Sequence, residues 1–253
     1  GGRSSARETI GRVAAGAIAE KFLKQLNISV TAYAKSIGPV EVSPERMDLS
    51  EIQNNRFCFP DAEAAKEAES YLDQKIAECD SVGGVVECVI SGLPVGLGEP
   101  VFEKLDANLA KAILSIGAVK GFEIGDGFVA TKACGSENND EFRMDGDKIV
   151  KETNHAGGVL GGISDGSDVI FRAAFKPTPS IAKSQETVTK DGENIDLVIH
   201  GRHDPVVVPR AVVVVESMAA ITAMDMLLMS MTSRLDLIQM FFQVENVDDS
   251  PEQ

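Results

Sequence analysis

The sequence predicts an α+β fold with antiparallel sheets, because segments of helical and of strand character occur in blocks. Apolar residues recur at helical spacing in several long segments, and the segments between them are rich in Val and Ile. These segments lack the regular strand–helix–strand alternation that a parallel sheet requires. We therefore expect a layered structure of helices on antiparallel sheets.

The helices follow from periodicity and end signals. Ser5-Ala6-Arg7-Glu8 has the S-x-x-E form of a capping box and is followed by apolar residues at helical spacing. Pro209-Arg210 begins the last long helix, because proline suits a first helical position. The spacing predicts helices over 6–26, 61–79 and 101–116, and a final one from residue 209.

The strands follow from β-rich runs bounded by turn residues. Gly38-Pro39 divides the first of these runs, and Lys190-Asp191-Gly192 marks a hairpin. The segment from Gly135 to Asp147 reads as a polar loop. The predicted strand segments are 28–42, 82–91, 121–128, 169–175 and 187–200.

The composition limits the possible functions. The chain has 253 residues and a net charge of −15, which argues against a nucleic-acid partner because such a partner needs a basic face. The apolar stretch from Ala211 to Met231 contains Glu216 and Asp225, and two carboxylates are costly in lipid, so a buried core helix is expected. The four cysteines show no zinc-like spacing and no CxxC pair, so no metal site is expected.

The domain organisation is simple. We expect one domain over residues 1–243 and an acidic, flexible tail over residues 244–253. The first residues, Gly1-Gly2-Arg3, resemble neither an initiator methionine nor a targeting segment, so the sequence is expected to be truncated at its N-terminus.

One candidate site lies at the start of the first helix, where Gly1 to Arg7 combine small residues, hydroxyls and two arginines. Backbone N–H groups at a helix start attract anions, and Arg3 and Arg7 add positive charge. An ordinary capped helix with solvated arginines is the alternative.

Two further segments offer polar groups between apolar runs. His200-Gly201-Arg202-His203-Asp204-Pro205 combines histidines with a carboxylate, a pairing suited to proton transfer, or forms a plain polar turn. Lys176-Pro177-Thr178-Pro179-Ser180 forms a stiff loop that suits a flavin or a phosphate, or a rigid loop with no ligand.

The glycine-rich segments 121–127 and 157–162 lack the G-x-G-x-x-G order of a Rossmann site, and close backbone packing is their alternative reading. No nucleophile elbow and no Walker A loop is present. The residues alone therefore indicate an anion pocket, suited to a cofactor, with acid and base groups.

Several segments together resemble the chorismate synthase family. Gly1 to Thr9 is similar to its G-G-R-S-S-A-R-E-T signature, and Arg202 to Val212 resembles its R-H-D-P-C-V-x-x-R-A-V-P signature. Between these lie segments similar to other family motifs, in the family's order: 120–128, 135–141, 154–164 and 175–180. Val206 and Val213 replace the usual cysteine and proline, for which we expect effects on packing more than on chemistry.

The resemblance implies a sandwich of helices between antiparallel sheets and a homotetramer in the cytoplasm. It implies a lyase that converts 5-enolpyruvylshikimate 3-phosphate to chorismate and phosphate by anti-1,4 elimination. Reduced FMN is required without net redox change, with NADPH as a possible reductant. In the family, an upstream region carries a G-E-S-H-G signature, further arginines and two acid histidines.

The resemblance also assigns roles to residues. Ser5, Arg7 and Arg202 are expected on the substrate, and Asp204 beside the flavin N5 as base relay. The residues expected to hold FMN are Arg3, Ser4, Ser5, Gly117, Ala118, Gly161, Lys176, Pro177, Thr178, Pro179, Ser180 and Arg202. We expect the helix start at Ser5 and the turn at Asp204 to converge on one pocket. The alternatives are a degenerate relative that keeps the fold without activity and a non-enzymatic interaction module.

Overall fold

The computed structural model describes residues 5–201 and 204–243. The α-helices of this part are Thr9–Lys24 (α1), Ala62–Ala77 (α2), Leu105–Leu114 (α3), Gly135–Asn138 (α4), Val208–Ser230 (α5) and Leu235–Phe242 (α6). Its strands are Ser29–Ile37 (β1), Val40–Glu41 (β2), Gly84–Ser91 (β3), Val119–Ile124 (β4), Phe142–Asp145 (β5), Lys148–Lys151 (β6), Val159–Leu160 (β7), Ile163–Ser164 (β8), Val169–Phe175 (β9), Gln185–Val188 (β10) and Asn194–Leu197 (β11).

A five-stranded sheet in the order β2-β1-β3-β9-β4 organises the molecule, and every neighbouring pair in it is antiparallel. Cys88 of β3 lies opposite Ala32 of β1 and Phe171 of β9, which fixes the register of the three central strands. All three side chains are almost fully buried and belong to the core. The predicted α+β class with antiparallel strands is confirmed.

α5 is the central helix of the layer that covers this sheet. It packs against β1 and β3, and both α1 and α3 pack against it. The resemblance implies a second sheet beyond such helices. In the described residues the large sheet covers one side of the layer, and Ile10 and Ile18 of α1 are 80% and 69% exposed.

By length and composition alone, α5 is apolar enough to cross a membrane, yet half of it is buried inside the protein. Its buried positions include small residues that let neighbouring elements approach, such as Ala219, Ala220 and Ala223. The Glu216 carboxylate accepts a hydrogen bond from the Ala32 N–H of β1 at 2.8 Å. This packing is that of a core helix, as expected.

The first helix begins differently from the predicted capping box. Residues 6–8 form a 3₁₀ turn before α1, and the Ser5 hydroxyl accepts from the Arg7 N–H at 3.2 Å. Among the described residues the Glu8 carboxylate accepts from Arg12 Nε at 3.0 Å and from no N–H of Ser5. The capping-box prediction is therefore wrong, although a helix does begin here.

Three other elements also differ from the prediction. α3 begins at Leu105 and not at residue 101, because Val101 has a φ of +69°, which no helix accommodates. The segment expected to be a polar loop contains α4 and the hairpin β5–β6. The predicted strand 121–128 ends at Ile124 and continues as a 3₁₀ turn. The expected acidic tail lies outside the described residues.

Candidate functional site

The start of α1 presents Ser5 and Arg7, whereas Arg3 and Ser4 lie outside the described residues. Arg7 is exposed and forms no ion pair within the described part of the chain. Its guanidinium therefore remains available to an anion beside the first turn of the helix.

Arg12 connects this helix start to the turn that follows α3. Its Nη1 donates to the hydroxyl of Ser115, the residue directly after α3, at 2.6 Å. Gly117 and Ala118, both predicted to hold the cofactor, follow Ser115 by two and three residues. Sequence reasoning missed Arg12, because its partner lies 103 residues away in the chain.

The Gly117–Ala118 turn and the Lys176–Ser180 loop, which were predicted separately, lie side by side. The Lys176 N–H donates to the Ala118 carbonyl at 3.0 Å, because β4 and β9 are paired where these segments meet them. Ala118 has a φ of +74°, and a Cβ placed on Gly117 would meet nothing within 4 Å. The structure therefore brings two of the predicted cofactor segments together beside open space.

One unsatisfied group in this loop favours a ligand. The Thr178 hydroxyl oxygen is buried and has no hydrogen-bond partner among the described residues. A buried polar atom without a partner is costly and calls for an explanation. The side chains of Lys176, Thr178 and Ser180 are all of donor type, which suits a phosphate-bearing flavin.

The Asp204 turn is attached to the same loop, although Arg202 and His203 lie outside the described residues. The Pro205 carbonyl accepts from the Val82 N–H at 2.8 Å. The neighbouring Ser81 hydroxyl donates to the Thr178 carbonyl at 2.7 Å. Asp204 is therefore next in sequence to Pro205, which is bound to Val82, and the neighbouring Ser81 contacts the predicted cofactor loop.

Asp204 has a partner that the sequence analysis did not assign. Arg210 Nη1, in the first turn of α5, contacts Asp204 Oδ2 at 2.5 Å. The signal was present, because Arg210 belongs to the family signature that begins at Arg202. The pair holds the carboxylate at the N-terminal end of α5.

Gly161 lies away from the Gly117–Ala118 turn. It lies in the turn between β7 and β8, and the adjacent Gly162 carbonyl accepts from the Leu105 N–H at 2.8 Å. Gly161 is thus near the N-terminal end of α3, whereas Gly117 follows its C-terminal end. Ten helical residues span about 15 Å, so the described residues do not bring these two glycines together.

Two cavities of about 650 Å³ each occur in the described part. Glu20, Lys24, Ser29 and Glu216 are among the residues that line the first. The second runs between α3 and β4. Neither is lined by Ser5, Arg7 or Asp204, and no hydrogen bond between described residues joins these three. Their convergence on one pocket stays a prediction.

Both glycine-rich segments pack tightly against each other. A Cβ on Gly125 would lie 2.1 Å from the His155 carbonyl oxygen, and one on Gly157 would lie 2.3 Å from the Gly125 nitrogen. At these two positions a side chain has no room, which supports the packing interpretation. His155 Nδ1 lies 2.7 Å from Asp126 Oδ2, which gives a further contact between the two segments.

A cluster of buried charged side chains contacts the turn that contains His155 and Ala156. Lys151 Nζ lies 3.2 Å from Asp140 Oδ2 and 2.7 Å from Asp165 Oδ2, and all three side chains are at most 6% exposed. Asp140 also accepts from the backbone N–H groups of His155 and Ala156. Burial opposes its charge, but these hydrogen bonds prevail and lower the pKa of Asp140 to about 2.

The sequence profile of the family described as chorismate synthase matches residues 1–228. The chain is 61% identical over 244 residues to the chorismate synthase of Lachnoclostridium phytofermentans and 63% identical over 243 residues to that of Agathobacter rectalis. Each alignment covers 96% of this chain and 66% of the relative.

A solved crystal structure of a chorismate synthase superimposes with a TM-score of 0.77 and 31% identity, covering 94% of this chain and 69% of that one. The chain therefore spans about two thirds of the length of its relatives. Sequence profile, high identity and shared architecture agree over nearly the whole chain, and the chain belongs to the chorismate synthase family.

Proposed function

We propose that the protein is a lyase that converts 5-enolpyruvylshikimate 3-phosphate to chorismate and phosphate by anti-1,4 elimination. The observation that carries this proposal is the 61% identity to a chorismate synthase over 96% of the chain. The family signatures noted at the start of α1 and before α5 lie within the matched residues 1–228.

We propose that reduced FMN is held by the Gly117–Ala118 turn and the Lys176–Ser180 loop. The backbone contact between these segments supports this assignment, as does the Thr178 hydroxyl, which has no hydrogen-bond partner in the part of the chain that the structure describes. Bound there, reduced FMN supplies electron density to the reacting ring without net redox change. The proposed set also includes Arg3, Ser4, Ser5, Gly161 and Arg202, and NADPH is the proposed reductant of the flavin.

The substrate carries a phosphate and carboxylates, so its site needs cations. We assign Arg7, Arg202 and Ser5 to these anions. The guanidinium of Arg7 is exposed and has no ion-pair partner among the described residues, which supports its assignment, because a bidentate contact to phosphate or carboxylate suits arginine. These contacts would orient the ring so that the phosphate departs on one face and the proton on the other.

Asp204 is the proposed base relay for the ring proton, at the place where the N5 side of a bound flavin would lie. A carboxylate needs a fixed orientation to act as a base. The Arg210 contact at 2.5 Å supplies that orientation. The proposed assembly is a homotetramer in the cytoplasm, with neither a nucleic-acid nor a membrane partner.

Replacing Asp204 tests this assignment in the complete protein. Asp204→Asn keeps the shape but removes the basic oxygen, so we expect turnover to fall by about 10²–10⁴-fold. Affinity for substrate and for reduced FMN should stay within about threefold, as measured by anaerobic titration. Asp196→Asn, on the exposed strand β11, is the matched control and should leave turnover unchanged.

Two outcomes contradict the proposal. Wild-type turnover in the Asp204→Asn variant would remove the residue from the reaction. A wild-type protein that binds reduced FMN and the substrate but releases no phosphate would instead be a degenerate relative that keeps the fold.

A further inference from the structure

Arg12 is a half-buried arginine that joins three elements. Its Nε donates to Oε2 of Glu8, in the 3₁₀ turn before α1, at 3.0 Å. Its Nη1 donates to the Ser115 hydroxyl at 2.6 Å and lies 3.9 Å from the Met218 sulfur of α5. Its Nη2 lies 3.4 Å from the Ser115 carbonyl oxygen. The guanidinium fork thus spans a helix start, a helix end and the core helix.

The geometry of Ser115 makes this contact specific. Its hydroxyl donates to the Ala112 carbonyl and accepts from Arg12, so both of its hydrogen-bonding roles are used. Ser115 is also the residue that caps the C-terminal end of α3, where unpaired carbonyls and the negative end of the helix dipole favour a cation. A lysine has one ammonium in place of the fork and cannot span all of these partners.

The contact controls more than the end of α3. The chain turns from Ser115 through Gly117 to Ala118, whose φ is +74°. The Ala118 carbonyl then accepts from the Lys176 N–H. Arg12 holds one end of this turn and the backbone of Lys176 holds the other, so the position of the turn relative to α1 depends on Arg12.

We infer that Arg12 is a positioning residue for the flavin site: it fixes the helix start that carries Ser5 and Arg7 against the turn that carries Gly117 and Ala118. The inference rests on the proposed function, since both the helix start and the Gly117–Ala118 turn are proposed binding segments. Loss of Arg12 should weaken flavin binding beyond any effect on folding.

The test compares reduced-FMN affinity with stability in the complete protein. Dissociation constants are measured anaerobically, well below the lowest Tm of the variants. We expect Arg12→Gln to weaken FMN binding about tenfold and Ser115→Ala about threefold, with Arg12→Lys between wild type and Arg12→Gln. The double variant should bind FMN no more weakly than Arg12→Gln alone, because both changes remove one interaction.

The matched control is Arg46→Gln. Arg46 contacts the buried Asp61 at 2.9 Å and belongs to the segment before α2, so its loss lowers Tm without touching either binding segment. FMN affinity within twofold of wild type is expected for this variant.

Equal FMN affinity in wild type and Arg12→Gln, with a Tm loss like that of Arg46→Gln, would overturn the inference and leave the proposed function intact. If Arg12→Gln does not fold, Ser115→Ala decides, and unchanged affinity in it overturns the inference. A wild-type protein without FMN binding refutes the proposed flavin site itself, and the inference with it.

Discussion

At the scale of single residues, Glu216 is a carboxylate whose charged form is disfavoured by burial. It lies on the core helix α5, and the Ala32 N–H is its hydrogen-bond donor at 2.8 Å. Burial and the nearby charge of Glu20 raise the pKa of Glu216, and the Ala32 hydrogen bond offsets only part of this effect. The charged form is therefore disfavoured in the folded protein.

This leads to a pH-dependent expectation for Glu216→Gln. A raised folded-state pKa means that the wild-type protein loses stability as pH rises through it, because the folded state then loses a proton that it holds more tightly than the unfolded state. An amide keeps an acceptor for Ala32 and carries no charge. We expect the variant to be the more stable one at pH 7–8, and its advantage to vanish as pH falls to about 4.5.

Urea unfolding at a series of pH values checks this expectation. Glu186→Gln, an exposed position on strand β10, is the control and should show no pH-dependent difference from wild type. A stability difference for Glu216→Gln that is constant over pH, or a variant less stable than wild type at pH 8, would show that the fold does not disfavour the charged form of Glu216.

The residues of the candidate site show what a sequence can and cannot reveal. Local signals identified Asp204 and the Lys176–Ser180 loop, because their residue types suggest chemistry wherever they lie. The contacts that these side chains make depend also on how distant parts of the chain pack together. Arg210 could have been assigned, because it follows Asp204 by six residues in the same family signature, whereas Arg12 meets Ser115 only through tertiary structure.

At the scale of elements, the crossing of α1 and α5 depends on one glycine. A Cβ on Gly16 would lie 2.3 Å from the Ser217 Cβ and 2.6 Å from its Cα. Real Cβ atoms do not approach so closely, and the contact is between two helices that both pack into the core. The two helices can therefore keep this separation only with glycine at position 16.

Gly16→Ala and Gly11→Ala form a matched pair on the same helix. Alanine is the better helix former, so Gly11→Ala, where nothing lies within 4 Å, should stabilise the protein by about 0.5–1 kcal/mol. Gly16→Ala must push the helices apart and should destabilise by about 1–3 kcal/mol. Chemical denaturation measures both, and a stabilising Gly16→Ala would refute the close crossing.

Elements were predictable where the signal was local. β9 was expected at 169–175 and is found there, and α2 begins after Asp61, whose carboxylate accepts from the N–H groups of Glu63 and Ala64. The start of α3 could not be predicted in this way, because the Leu105 N–H donates to the distant Gly162 carbonyl. The helix α6 was not predicted, because Arg234 at its start is not a typical capping residue and makes no side-chain cap.

At the scale of the whole molecule, a long irregular region from β4 to β9 is held to the sheet by buried polar groups in addition to the apolar core. Lys151 lies between Asp140 and Asp165, and Asp140 ties this pair to the His155–Ala156 turn. That turn contacts Gly125 at the end of β4. Such a cluster fixes a polar segment in one arrangement, which neither periodicity nor hydrophobicity could indicate.

The cluster gives the molecule a definite acid sensitivity. A depressed carboxyl pKa contributes stability that is present above the unfolded pKa, near 3.8, and is lost as pH falls through the folded pKa of about 2. For a side chain that is 3% exposed, this corresponds to roughly 2–3 kcal/mol. We expect Asp140→Asn to be less stable than wild type at pH 7, and the two unfolding free energies to converge between about pH 4 and pH 2. Asp191→Asn, in an exposed hairpin turn, should follow the wild-type curve throughout, and parallel curves for Asp140→Asn would show that the Asp140 carboxylate is not stabilised by the fold.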